Sequence, residues 1–255
     1  MGKIIKVSDE IFDKQLEQLP KEVTFCKKCV ISNQRPRIRW GLNEDGVCSA
    51  CDYAYEKDNE IDWDKRERQL QKVCDEHRST NGSWDVIVPS SGGKDSGMVA
   101  HKLKYKYGMH PLTITWAPFL YTEIGWKNFI ALKDKGFDNI LVHPDGILHR
   151  KLSLLAFDLH GDAWDPFGYG QQYLAYHLSV KYNIPLIFFG ENGEIEYGGE
   201  DKHKNMVEAP MEDWEEIFYK GSSAQKLVDA GLNRNIFTKE EIASSSFDFY
   251  QPPKK

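Results

Sequence analysis

The sequence predicts an α/β protein, a parallel twisted sheet with helices on both faces, preceded by a small cysteine-rich module. Three observations carry this. From Trp84 onward, short apolar runs alternate with stretches of helical periodicity, the pattern of strands covered on both faces by crossover helices. The first run, Asp85-Val86-Ile87-Val88-Pro89, leads into Ser90-Ser91-Gly92-Gly93-Lys94-Asp95-Ser96 and then a helix expected to begin near Ser96. All five cysteines lie before residue 75, four of them as Cys26-x2-Cys29 and Cys48-x2-Cys51.

Composition sets the frame. With 255 residues, 40% hydrophobic and 13% aromatic, the chain has room for one large α/β domain and a small module. A net charge of -6, from 33 Lys and Arg against 39 Asp and Glu, lowers the case for a nucleic-acid partner while leaving a local basic patch open. No run approaches the roughly 18 apolar residues of a membrane span, and Met1-Gly2-Lys3-Ile4-Ile5-Lys6 lacks the apolar core of a signal peptide. The expected location is the cytoplasm, with no membrane partner.

In chain order, Ser8-Asp9-Glu10 caps an amphipathic helix over 8–19 that Pro20 ends. The two cysteine pairs follow, separated by 18 residues that include Arg35-Pro36-Arg37, Gly41, Asn43, Asp45 and Gly46. That spacing suits a tetrahedral four-thiolate zinc site, whose binding supplies folding free energy that so short a ribbon cannot obtain from burial. Four thiolates leave no open position for water, so such a zinc is structural. An iron–sulfur cluster on the same ligands is the competing reading, and a disulfide pair suits a reducing compartment poorly.

A charged helix over about 62–77, with Cys74 on its packed face, leads to the polar break Ser79-Thr80-Asn81-Gly82-Ser83. Pro111–Trp116 reads as the second strand, Thr122–Lys135 as a helix closed by Gly136, and Asn139–His143 as the third strand. Helices over about 148–160 and 170–182 precede a fourth strand, Ile184–Phe189. Helical patterns over 211–220, 222–230 and 238–244 close the chain. The expected divisions are 1–60 for the first helix and ribbon, 61–83 for a connecting helix, 84–205 for the sheet domain and 206–255 for a helical C-terminal segment.

The loop after the first strand is built for an anion. Adjacent glycines let backbone N–H groups approach closely, and the helix N-terminus adds partial positive charge. Ser91 and Ser96 add hydroxyl donors and Lys94 an ammonium. The spacing is not that of the common phosphate loop, which needs a glycine, four residues and then Gly-Lys-Ser/Thr. An ordinary strand-to-helix turn is the bland alternative. In open α/β sheets ligands collect beyond the carboxyl ends of strands, which nominates Pro89–Ser96, Trp116–Thr122 and Gly190–Gly199 together.

The loop resembles the SGGxDS signature of the PP-loop ATP pyrophosphatase superfamily, with its adenine nucleotide alpha hydrolase-like fold, whose members cleave ATP between the α and β phosphates. More narrowly, three features together resemble the N-acetyl sugar amidotransferase family: the Cys-x2-Cys ribbon with SSGGKDS, Tyr169-Gly170-Gln171, and Gly190-Glu191-Asn192-Gly193-Glu194 followed by Glu196-Tyr197-Gly198-Gly199. The likeness covers most of residues 20–250. It implies adenylation of a sugar acetamido oxygen and its replacement by ammonia to give an acetamidino group, with release of AMP and pyrophosphate, in surface polysaccharide or flagellar sugar biosynthesis.

The resemblance assigns pyrophosphate binding to Ser91, Gly92, Gly93, Asp95 and Ser96, with Lys94 at the variable position. Gly190 and Glu191 face the nucleotide, Trp116 forms a wall for adenine, and Tyr169, Gln171, Asn192 and Glu196 contact sugar. Asp95, Lys94 and Glu191 are the candidate catalytic groups, with ATP, Mg2+ and a structural Zn2+ as cofactors. No glutaminase signature occurs in the chain, so ammonia is expected from a glutaminase-type partner subunit, beside a cyclase-like one. Members commonly continue past the length seen here, so 206–255 is expected to be a shortened C-terminal part. His143, after the third strand, is a candidate base, although a structural histidine is the commoner outcome. Zinc-bearing PP-loop thiolases that modify tRNA are the alternative, weakened because no cysteine follows Cys74. A non-catalytic nucleotide-binding scaffold is the second alternative.

Overall fold

The structure, a computed structural model, describes residues 22–33, 44–190, 219 and 222–254. The expected helix over 8–19, nearly all of that over 211–220, and Glu191, Asn192 and Glu196 lie outside the described residues. The chain divides into two compact units, one running to Trp63 and the other from Asp64.

In the first unit, Phe25 and Ser32 form an antiparallel bridge, and the Cys26 N–H donates to Ile31 O at 2.9 Å, so the first cysteine pair sits in a tight knuckle. The second pair opens helix α1, Ser49–Asn59, with Cys48 as its N-cap and Cys51 in its first turn.

The second unit, from Asp64, takes in all but the first residue of α2, Trp63–His77, then β1, Val86–Pro89. After them come α3, Lys94–Tyr105; β2, Pro111–Trp116; α4, Glu123–Asp134; and β3, Asp138–Val142. Helices α5, Gly146–His160, and α6, Asp165–Tyr182, precede α7, Ala224–Asn233, the short α8, Lys239–Ala243, and a 3-10 helix, Phe247–Tyr250. The sheet is parallel in the order β1-β2-β3. Alternate β1 residues face opposite ways: Ile87 enters the core under α5, α6 and α7, while Val86 and Val88 pack with Leu103 of α3 and Cys74 of α2. Helix α2 therefore packs on the sheet through Cys74.

The expected fourth strand is corrected to a single parallel bridge, Ile87 to Ile187, on the edge of β1 opposite β2. Its two bonds are Ile87 N to Leu186 O and Phe188 N to Ile87 O, both 2.9 Å. Pro185 has no N–H to extend the ladder. Strand order still reverses at β1, since β2 lies on one side and the returning 184–189 segment on the other. The crevice beyond the carboxyl end of β1 is thus the switch point of the sheet.

Helix ends follow their local chemistry. Thr122 caps α4 through the Gly125 N–H, Asp145 caps α5 through the Ile147 and Leu148 N–H groups, and Gly161 closes α5 at φ 72°. Helix α6 begins five residues before the expected Gly170, because Pro166 fits a first turn whose N–H groups have no helical acceptor.

Candidate active site at the β1–α3 loop

The loop hangs between two strands. Ser90 N donates to Ile114 O at 2.7 Å, and Thr115 Oγ1 donates to Ser90 O at 2.5 Å, fixing the loop to β2. Ser90 and Ser96 hydroxyls meet at 3.1 Å, while Gly92 N and Gly93 N donate to the Ser90 and Ser91 hydroxyls at 3.4 and 3.3 Å. Gly92 takes φ 85°, and a Cβ there would lie 2.7 Å from Phe129 N, so α4 backs directly onto the loop. Only glycine meets both conditions.

Gly190 closes the loop from the other side: a Cβ on it would lie 2.9 Å from Ser96 N. Both glycines thus permit backbone-to-backbone contact around the N-terminus of α3. A small open cleft of about 40 Å3 lies there, with Ser90, Ser91 and Ser96 on one side and Trp116, Phe167 and Gln171 on another. A glycine nest at a helix N-terminus, edged by hydroxyls and facing an aromatic wall, suits phosphates attached to a flat base.

Of the expected residues, Ser91, Gly92, Gly93, Ser96, Gly190, Trp116 and Gln171 come together. Lys94 does not reach into the loop: its Nζ pairs with the Asp95 carboxylate at 2.7 and 2.9 Å, and both side chains are exposed. Trp116 is buried, and its indole lies across Gly170, where a Cβ would overlap the ring. Tyr169 is not brought to the cleft; it is fully buried, edge-on to Tyr219 at 4.5 Å, and belongs to the core. His143 is exposed and does not line the cleft.

Sequence reasoning took in Ser90 only within the nominated Pro89–Ser96 segment and missed Phe167. Phe167 and Gln171 stand at i and i+4 on α6, a signal hidden by the late helix start. His149 is buried among Trp116, Phe119, Phe167 and Tyr250, with Nδ1 2.6 Å from the Tyr250 hydroxyl. Burial pulls its imidazole down to about 4.

The first unit carries a separate candidate metal centre. The sulfurs of Cys26, Cys29, Cys48 and Cys51 all lie within 4.8 Å of one another, with Cys26–Cys51 at 3.9 Å and Cys29–Cys48 at 3.6 Å. Those separations are too long for disulfides. They match the edge of about 3.8 Å expected for thiolates around one tetrahedral ion at about 2.3 Å. A cluster whose cysteines bind different iron atoms spreads its sulfurs further, so a single ion fits better. Burial opposes the Cys26 thiolate, but N–H groups of Cys48, Lys28 and Cys29 outweigh it and bring the thiol down to about 6. Crowding works the other way at Cys51, where burial and the neighbouring sulfurs push the thiol up to about 12.

No helix among the described residues is long and apolar enough to cross a membrane. No family model matches the chain, and no curated protein matches it. Among solved structures, an NH3-dependent NAD synthetase from Campylobacter jejuni, in complex with nitrate, is similar at a TM-score of 0.40 and 16% identity, covering 76% of this chain and 99% of that one.

Proposed function

We propose that this chain is an ATP-dependent, AMP-forming amidotransferase acting on an N-acetylated sugar. The carrying observation is the loop Ser90–Ser96 at the switch point of the sheet, closed by Gly92 against α4 and by Gly190 against Ser96. The acetamido oxygen attacks the α-phosphorus of ATP, the bond to the β-phosphate oxygen breaks, and pyrophosphate departs. Ammonia then adds to the activated carbon, and AMP leaves with the former acetamido oxygen, giving the acetamidino group.

The chain's own residues hold and orient. The first turn of α3 would present N–H groups to pyrophosphate, Gly92 and Gly93 would exchange their long contacts with the Ser90 and Ser91 hydroxyls for it, Ser91 and Ser96 would add hydroxyls, and Trp116 with Phe167 would wall the base. The exposed Asp95 carboxylate, paired with Lys94 and outside the cleft lining, would turn to hold Mg2+, an ion that commonly takes one or two carboxylates plus substrate phosphates. Gln171, which lines the cleft, is assigned to the acceptor sugar in this reading, together with Glu191, Asn192 and Glu196. The four-cysteine cluster would hold Zn2+ as a structural ion. A cytoplasmic location, with ammonia from a glutaminase-type subunit and a cyclase-like companion, belongs to the same proposal.

Cysteine placement favours nitrogen over sulfur transfer. Four of the five cysteines are gathered in one cluster, and the fifth, Cys74, is fully buried with its thiol pushed up by burial. A thiolase needs a reactive thiolate near the adenylate.

The test is pyrophosphate release from ATP, ammonium chloride and a panel of N-acetylated sugars. Release should require an acetamido sugar, and Asp95→Ala should lower it by about 10²-fold or more. Release that persists without the sugar, or survives Asp95→Ala, overturns the reading.

A further inference from the structure

A second constellation lies in the sheet unit, away from the loop. His160 ends α5, Gly161 turns the chain at φ 72°, and Asp165 opens α6, so one tight turn brings an imidazole and a carboxylate together. His160 Nδ1 lies 3.3 Å from Asp165 Oδ2, and His160 Nε2 lies 3.5 Å from Ser222 Oγ. The Asp165 side chain is 6% exposed and Ser222 is 7% exposed, with His160 between them at 28%. Helix ends favour a basic group closing α5 and an acidic one opening α6; the hydroxyl of Ser222 on the far side of the imidazole adds a third member. A carboxylate accepting from Nδ1–H fixes the tautomer that leaves Nε2 free to accept from a serine hydroxyl.

The surroundings supply the remaining parts of a reaction site. Ser222 stands between Tyr219 and Ser223, both of which line a cavity of about 190 Å3. Tyr169, Tyr173, Tyr219 and Tyr250 form its walls. Ala224 and Gln225 also line it and form the first turn of the ten-residue α7, where backbone N–H groups lack helical acceptors. Donors at a helix N-terminus beside a nucleophile suit a developing oxyanion.

We propose that Ser222, His160 and Asp165 form a nucleophilic acyl-transfer site beside this tyrosine-walled cavity, whose lining residues Tyr219 and Ser223 flank Ser222, and that the site takes a short-chain acyl ester. His160 Nε2 takes the Ser222 proton as Oγ bonds to the ester carbonyl carbon, and the carbonyl π pair moves to oxygen, facing the Ala224 and Gln225 N–H groups. The tetrahedral adduct collapses, the bond to the alcohol oxygen breaks, and the alcohol leaves with the proton from Nε2. Water then repeats the sequence on the acyl-serine, releasing a carboxylic acid and restoring Ser222. No oxidation or reduction is involved. Both resting contacts are long, as in unliganded sites whose hydrogen bonds tighten only around substrate. Burial pushes the Tyr169 hydroxyl up to about 12, with Ser222 pulling it the other way, so it stays protonated and able to donate in the cavity wall.

The test uses the full chain without ATP, so its outcome is independent of the amidotransferase reading. The probes are a fluorophosphonate, with the modified residue mapped by mass spectrometry, and 4-nitrophenyl acetate hydrolysis. The expected results are phosphonylation at Ser222, its loss in Ser222→Ala, and at least about tenfold slower labelling and hydrolysis in His160→Asn and in Asp165→Asn. Circular dichroism confirms that each variant is folded. Should Ser222→Ala fail to fold, Ser222→Cys replaces it, with iodoacetamide alkylation of the introduced thiol expected to slow in the added His160→Asn background. No labelling of the folded wild type, labelling at another serine that Ser222→Ala leaves intact, or an unchanged rate in His160→Asn overturns the proposal.

Discussion

Gly92 is where local sequence and long-range packing meet. A methyl group there would sit 2.7 Å from the Phe129 backbone, at a φ of 85° that other residues rarely adopt. Gly92→Ala should destabilise the fold by about 2–4 kcal/mol, combining backbone strain with overpacking. Gly82→Ala, with φ 79° and nothing within 4 Å, isolates the strain and should cost about 1 kcal/mol. Urea unfolding midpoints of the two variants check the difference. Gly170→Ala meets the Trp116 indole rather than backbone, so it should shift tryptophan emission and weaken ATP binding. His149 ties stability to pH. Its folded value of about 4 lies below the unfolded 6.5, so the unfolded chain binds the proton first as pH falls. That contribution, on the order of 3 kcal/mol, is present above about 6.5 and lost by about 4, and His149→Leu should flatten this slope in urea titrations across that window.

At the scale of elements, legibility followed local chemistry. Pro111–Trp116 was readable because it is an uninterrupted apolar and β-branched run, and every residue in it is buried. Helix α4 carried both of its signals, Thr122 at the start and Gly136 after the end. The start of α6 was hidden because Asp165-Pro166-Phe167-Gly168 reads as a turn, although proline is well suited to a first helical turn. Ile184–Phe189 was over-read as a strand, since apolar character records burial but not ladder hydrogen bonds. The candidate site was legible where the chain itself makes the loop, and illegible where a helix supplies the wall. Tyr169 and Gln171 are two apart on α6, so they face different ways: Gln171 to the cleft and Tyr169 to the core. Grouping them as one motif treated neighbours in sequence as neighbours in space. Within these elements, Gly231→Ala should be costly as well, because its Cβ would overlap the Phe237 ring and stand 2.9 Å from Leu155. A loss of about 1–3 kcal/mol, read by thermal denaturation, is expected from forcing α7 off that contact.

At the scale of the whole molecule, two units rest on different forces. The sheet unit has two apolar cores, one on each face, whereas the described core of the first unit is little more than the cysteines, Val47, Ile31 and Ala50. Metal removal should therefore act selectively. Chelation or Cys48→Ser is expected to release one metal ion per chain and open residues 22–59 to proteolysis. The sheet unit should keep its cooperative unfolding. Elemental analysis and limited proteolysis, read together, check this; simultaneous collapse of both units would show that the sheet depends on the metal.

The return of Ile187 to the free edge of β1 has a consequence for synthesis. Ser90–Ser96 leaves the ribosome early, but Gly190, which closes on Ser96 N, is translated only after the intervening helices and strands. Such pairing raises contact order and delays completion of the sheet. A nascent chain stopped before Ile184 would carry the whole glycine loop, yet β1 would have an unpaired edge and the loop no second wall. Nucleotide retention by ribosome-bound chains of increasing length should therefore appear as a step once the 184–190 segment has cleared the exit tunnel, and not when Ser96 does.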